Sequence, residues 1–122
     1  MQPICLAIDT TFDDTSVAVL KGHNEVLANL TLSQFKDHEA FGGVVPERAS
    51  RKHLEVIHPL ISESLKQSGL TFQEIDYFAV SHYPGLLGSL LVGVTVAKSL
   101  AYSLDKPIIG TVSYTHLRAH ET

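Results

Sequence analysis

Ile4-Cys5-Leu6-Ala7-Ile8-Asp9-Thr10-Thr11-Phe12-Asp13-Asp14-Thr15-Ser16-Val17-Ala18-Val19-Leu20-Lys21 contains two β-rich runs, Ile4 to Asp9 and Ser16 to Lys21, with a polar segment between them. That pattern predicts a hairpin with a polar tip. Hydroxyls, backbone N–H groups and carboxylates gathered at one tip are the groups that hold phosphate oxygens and, through a metal, balance their charge. A tip that is polar only because it is solvated looks the same, so its meaning depends on the rest of the chain. Gly22-His23-Asn24 is a second turn. Glu25 to Ser33 alternates, with Val26, Ala28, Leu30 and Leu32 on one phase, as a third strand does. Three antiparallel strands open the fold.

Gly42-Gly43-Val44-Val45-Pro46-Glu47-Arg48-Ala49-Ser50-Arg51-Lys52-His53 then reads as a glycine turn feeding a helix. Pro46 suits a first helical turn, and Glu47 complements the positive end of the helix dipole. The cations beyond it suit an anionic partner, and equally an ordinary solvated helix start. Ala49, Leu54, Ile57, Ile61 and Leu65 keep helical spacing to Ser68, Gly69 terminates the run, and Pro59 must kink or divide it. Thr71 and Glu74 suggest a capping box over one short turn, and Ile75 to Ser81 a buried strand. His82-Tyr83-Pro84-Gly85-Leu86-Leu87-Gly88-Ser89 is a second glycine loop into a helix that is apolar on nearly every face, which predicts burial on all sides. Gly93, Ala97 and Ala101 form a strip of small side chains that admits a close backbone neighbour. Asp105-Lys106-Pro107 ends that helix, and Ile108 to Thr111 begins a last strand. The order β-β-β-α-β-α-β predicts an α/β lobe: a mixed sheet with helices packed on it.

The 122 residues fit one domain, and 44% hydrophobic with 18% charged residues is a globular composition. A formal net charge of −4 does not mark a general nucleic-acid binder, so RNA contact is expected to be local or shared. The lone Cys5 favours a reducing compartment, and no signal peptide is visible, so the expected location is the cytoplasm. Leu86 to Leu104, interrupted by Lys98, Gly and Ser, fits a buried helix better than a membrane span.

Three segments together, Ile8 to Thr15, Gly42 to His53 and Pro84-Gly85-Leu86-Leu87-Gly88-Ser89-Leu90-Leu91-Val92-Gly93, resemble the universal tRNA threonylcarbamoyladenosine transferase family, once labelled glycoprotease. The second and third match nearly residue for residue. The resemblance spans residues 4 to 110, and the element order is that of the actin-like and sugar-kinase ATPase superfamily. It implies transfer of a threonylcarbamoyl group from threonylcarbamoyl-AMP to N6 of adenosine 37 in tRNAs reading codons that begin with A. It also implies one divalent metal, iron or zinc, held by an H-x-x-x-H pair and a distant aspartate, and partner subunits that include a bacterial-type paralogue and an ATPase. On this chain the implied groups are Asp13 and Asp14, the acidic pair acting on metal, water or amine. Asp9, Thr10, Thr11, Gly42, Gly43, Glu47, Pro84 and Gly85 would face substrate or phosphate.

The chain departs from the family pattern in two places. Thr11-Phe12 stands where the family has Ser-Cys, which keeps the hydroxyl and drops a thiol. His116 and His120 have the ligand spacing but come after Gly110 three residues later than the family arrangement. Residues 112–122 also resemble an adaptor-derived tail, so the expected organisation is a lobe over 1–111 and a separate tail, with the second actin-like lobe absent and the chain inactive alone. His23, His38, His58 and His82 fit loop or surface positions. His53 fits a helix-face hydrogen bond as well as substrate contact. Two other readings come from different classes. A non-catalytic paralogue is opposed by the intact G-G-V-V-P-E signature. A metallopeptidase is opposed by Leu117, which occupies the position of that class's catalytic Glu. A sugar or acyl kinase is a more distant reading.

Overall fold

A computed structural model describes residues 2–11, 14–22, 24–33, 46–83 and 87–112; within these spans the side chains of residues 11, 33, 46–54, 82–83, 87–90 and 111–112 are not described. The strands are β1 (Ile4–Thr11), β2 (Asp14–Lys21), β3 (Glu25–Ser33), β4 (Tyr77–Tyr83) and β5 (Ile108–Val112). The helices are α1 (Pro46–Ser68) and α2 (Leu87–Leu104), with a 3-10 turn at Phe72–Glu74. The predicted order of elements is the one observed. The sheet order is β3-β2-β1-β4-β5, antiparallel through the first three strands and parallel from β1 to β4 and from β4 to β5.

Both helices lie on one face of the sheet. α1 packs on β2 and β3, α2 packs on β1 and β4, and the helices touch each other. Leu6 and Ile8 from β1, Val17 and Val19 from β2, and Phe78 and Val80 from β4 point into this layer. They meet Ile57, Ile61 and Leu65 of α1 and Val92, Ala97 and Ala101 of α2. Burial of such side chains supplies roughly 1.5–3 kcal/mol each before the entropy of ordering is charged against it.

Some sequence expectations change in detail. The first hairpin is tighter than its polar composition suggests, because Thr10, Thr11, Asp14 and Thr15 pair in the ladder and only residues 12 and 13 lie between the strands. α1 runs unbroken through Pro59. Pro59 is exposed, so the carbonyl that loses its ladder partner lies where water can serve it, while Ile57 and Ile61 bury the opposite face. In β3 the register slips between Val19↔Ala28 and Leu20↔Val26, making Leu27 an extra, bulged residue. Val26 therefore shares the face of Leu20, opposite Ala28, and is 58% exposed. Finally, α2 is not buried all round: Leu91 is 51% and Tyr102 91% exposed. The sheet and α1 cover two of its sides, and among the described residues no further layer covers the rest.

Strand β4 begins two residues later than predicted because Thr71 to Ile75 forms the short turn first. The Glu74 carboxylate accepts the Thr71 N–H at 3.0 Å. Asp76 then locks the turn to β1: its Oδ2 accepts the Ile4 N–H at 2.7 Å, and its own N–H donates to the Ile4 carbonyl at 2.7 Å.

The two helices end in the same way. After α1, Gly69 N–H reaches the Lys66 carbonyl at 3.2 Å and Leu70 N–H reaches Leu65 at 3.1 Å. After α2, Asp105 N–H reaches Tyr102 at 3.3 Å and Lys106 N–H reaches Ala101 at 2.8 Å. Each is a Schellman closure that needs a left-handed residue, supplied by Gly69 at φ 74° and by Asp105 at φ 56°. Asp105 carries a Cβ in that conformation and a negative charge at the negative end of the helix dipole. Asp105→Gly is expected to raise stability by about 0.5–1 kcal/mol, and Gly69→Ala to lower it by about 1 kcal/mol; urea unfolding of the two variants checks both signs.

Candidate functional site

Successive strand residues point to opposite faces, and the helices fix which face is which. Thr10 and Thr15, a cross-strand pair, are both fully buried, and Thr10 Oγ1 accepts the N–H of Gly93 in α2 at 3.0 Å. Thr10 and Thr15 therefore face the helix layer. Asp9, Asp14 and Ser16, one residue away on each strand, face the other side.

On that open side a polar row crosses the sheet at the carboxyl end of β1. Asp9 pairs with Ser16, and Ser16 with Thr31. The Ser16 and Thr31 hydroxyls are 2.9 Å apart in a hydrogen bond. One position beyond the Ile8–Val80 pair, Ser81 of β4 lies beside Asp9 and is 6% exposed. Asp9 is half-buried, as is Asp14, two residues before Ser16. The adjacent row is apolar and small, with Ala18 paired to Ala7 and Ala7 to Ala79. A carboxylate flanked by hydroxyls, next to a flat floor of methyl groups, suits a polar ligand with an apolar ring or chain. Ser16, Thr31 and Ser81 were not singled out from the sequence. Their signal was there: each is a polar residue next to an apolar one in its own strand, Ser16 before Val17, Thr31 between Leu30 and Leu32, and Ser81 after Val80.

The topology brings the strands that precede the other sequence-predicted segments to the same place. β1, β3, β4 and β5 run parallel to one another, so their carboxyl ends share one sheet edge. From that edge the chain leaves toward Asp13 after β1, toward Gly42 and Gly43 after β3, toward Pro84 and Gly85 after β4, and toward His116 and His120 after β5. Ligands of open α/β sheets bind at this edge. Those seven residues lie outside the described ones. Glu47 comes after Pro46, the first residue of α1 as predicted, and Thr11 pairs in the ladder with Asp14; the side chains of Glu47 and Thr11 are not described. Thr10 is the correction. Expected among the phosphate-facing groups, it is buried toward α2, because its place in the ladder is in phase with Ile8 rather than with Asp9. Among the described residues no three His, Cys, Asp or Glu side chains come together as a metal cage. No described helix is long and apolar enough to cross a membrane.

Cys5 also faces the open side, opposite Tyr77 of β4. Burial pushes its thiol above the ordinary range, and a hydrogen bond with the Tyr77 hydroxyl opposes this only in part. The Tyr77 phenol is raised as well, first by the charge a Cys5 thiolate would place beside it, then by burial and that hydrogen bond.

The five-stranded mixed sheet with two helices on one face is a single lobe of the actin-like, RNase H-like class. Two solved chains from Pseudomonas aeruginosa share it: an uncharacterized protein with similarity to peptidase YEAZ (TM-score 0.67, 24% identity) and YeaZ (TM-score 0.66, 22% identity). Each is matched over 90% of this chain and 43% of its own. Thermus thermophilus RuvC, solved with a Holliday junction substrate, has the fold at TM-score 0.53 and 12% identity, matched over 90% of this chain and 64% of its own. At the sequence level, the family model for TsaD, tRNA N6-adenosine threonylcarbamoyltransferase, matches residues 25–121. Relatives of that name from Clostridium perfringens (51% identical over 119 residues) and Symbiobacterium thermophilum (49%) match over 98% of this chain and 34% of their own length. One from Onion yellows phytoplasma (49%) matches over 94% and 48%. The chain belongs to the tRNA N6-adenosine threonylcarbamoyltransferase family, and it spans about a third of the length of the first two of these relatives.

The raised thiol has a testable consequence for stability. An unfolded thiol ionises from about pH 8.5 while the folded one keeps its proton, so the unfolded state binds fewer protons and stability falls as pH rises. The contribution is fully present below about pH 8.5 and is lost above it. Urea midpoints between about pH 7 and 10 should show this decline, and Cys5→Ala should flatten it.

Proposed function

We propose that the protein carrying this lobe transfers the threonylcarbamoyl group from threonylcarbamoyl-AMP to N6 of adenosine 37 of tRNA. The observation that supports this reading is the polar row of Asp9, Ser16, Thr31 and Ser81 at the sheet edge where β1, β3, β4 and β5 end, in a chain that belongs to this transferase family. The donor is an acyl phosphate anhydride. In the transfer the N6 nitrogen attacks the carbamoyl carbon, the C–N bond forms, the bond from that carbon to the phosphate oxygen breaks, and AMP leaves with the electron pair. The amine gives up one proton.

The chemistry needs three things from the chain: a place for the adenylate, alignment of a weak nucleophile, and a proton acceptor. The hydroxyls of Ser16, Thr31 and Ser81 are donors for donor-substrate oxygens, over the Ala7, Ala18 and Ala79 floor. Asp9 and Asp14 are the described carboxylates on that face able to orient the amine and take its proton, with Asp13 the third candidate from the sequence. His116 and His120 remain the metal-ligand candidates of the sequence. tRNA, a paralogous subunit and an ATPase are the proposed partners, and the cytoplasm the proposed location. The lobe fold shared with the Pseudomonas aeruginosa chains supports a paralogous partner.

The test is a chimera in which residues 1–111 of this chain replace the corresponding segment of the Clostridium perfringens relative, expressed in cells depleted of their own enzyme. Threonylcarbamoyladenosine should reappear in tRNA digests analysed by mass spectrometry, and Asp9→Asn should lower the rate by about 100-fold. A folded chimera that leaves adenosine 37 unmodified contradicts the reading.

A further inference from the structure

The contact between Thr10 and Gly93 lies behind the site and is unusually close. Gly93 is an interior residue of α2, yet its N–H reaches across to the Thr10 hydroxyl at 3.0 Å in a buried environment. A Cβ built on Gly93 would stand 2.5 Å from Thr10 Oγ1, 3.3 Å from Thr10 Cγ2 and 3.4 Å from Ile8 Cγ2. The first distance is one that real Cβ atoms do not show, so a methyl there must shift the Thr10 side chain, the helix or the strand. Thr10 is short, β-branched and fully buried, and is paired with Thr15, itself fully buried, so turning its side chain away trades one close contact for another in a packed layer and gives up the bond from Gly93. The residue before it in β1 is Asp9, pointing to the opposite face. A push on Thr10 from the helix layer is therefore carried through one strand thickness to the Asp9 carboxylate.

We infer that Gly93 is a positioning residue: by having no side chain, it lets α2 seat on Thr10 and so fixes where Asp9 stands in the polar row on the far side of the sheet. Gly93 touches no substrate; it acts through Thr10 and β1. The inference rests on the reading of Asp9 as part of the transferase site, but its geometric half is independent of activity. It also explains why the strip Gly93, Ala97, Ala101 tapers to no side chain at its amino-terminal end. Ala97 and Ala101 lie buried in the core with their methyl groups, 0% and 3% exposed, whereas at Gly93 the strand brings a hydroxyl to the helix backbone.

Two measurements test this. In the full 122-residue chain, NMR follows the Asp9 carboxyl carbon and the Ser16 amide in the parent, Gly93→Ala, Thr10→Ala and the double variant. Gly93→Ala should move both resonances. Thr10→Ala removes Oγ1 and Cγ2, the two atoms that a Cβ at position 93 meets most closely, so the double variant should return them toward the parent. Should Gly93→Ala fail to fold, the double variant decides: parent-like resonances support the inference, and a second failure to fold overturns it. In the Clostridium perfringens chimera, Gly93→Ala should lower kcat by about tenfold or more with the KM for tRNA within about twofold, and adding Thr10→Ala should restore kcat. An inactive parent chimera counts against the transferase reading, and the NMR arm still decides the role of Gly93. An Asp9 signal unmoved in folded Gly93→Ala, or a kcat loss that Thr10→Ala does not relieve, overturns it.

Discussion

The hydrogen bond from Gly93 to Thr10 joins the second helix to the first strand where neither has room to spare, and much of the lobe depends on it. A helix that comes this close must present glycine at the crossing and small side chains one and two turns on, as Ala97 and Ala101 do. The strand it meets must present a side chain that is compact and can accept a hydrogen bond. Threonine meets both needs. Valine would fill the same space but leave the Gly93 N–H facing a methyl group, which changes the polarity of a fully buried contact.

From this crossing the sheet divides its labour by face. The helix side carries Leu6, Ile8, Val17, Val19, Phe78 and Val80, large side chains that bury against α1 and α2. The open side carries alanines and, next to them, hydroxyls and carboxylates. Both sets are written in the same strands with a period of two, so the residues that stabilise the lobe and those that furnish the site are neighbours everywhere. This is why a change on the core face, at Thr10 or Gly93, reaches the site face without any contact with a ligand.

Element order, sheet composition, the helix start at Pro46 and the stops at Gly69 and Asp105 were legible in the sequence, because each has a local cause: a two-residue or helical period, a fixed φ, or a left-handed cap. What was not legible depended on tertiary context. One extra residue at Leu27 turns Val26 to the opposite face, and alternation alone does not mark the slip. Pro59 reads as a breaker until its exposed position in a well-anchored helix is known. The composition of α2 reads as fully enclosed, yet Leu91 and Tyr102 stand out of the core. Thr10 looked like a tip residue among other polar residues, and only pairing into the ladder shows which face it takes. For the site, the carboxylates and the signature loops were visible, whereas Ser16, Thr31 and Ser81 became relevant only once three strands from distant parts of the chain stood side by side.

The central claim is that substrate meets the open face of the sheet at the carboxyl end of β1, with the helix face serving as core. A crystal structure of the protein with AMP, the leaving half of the proposed donor, tests it most directly. The nucleotide is predicted at that sheet edge, within hydrogen-bond reach of Asp9, Ser16 or Ser81. AMP bound instead on the outer side of α2, against Lys98, Tyr102 and Lys106, would contradict it.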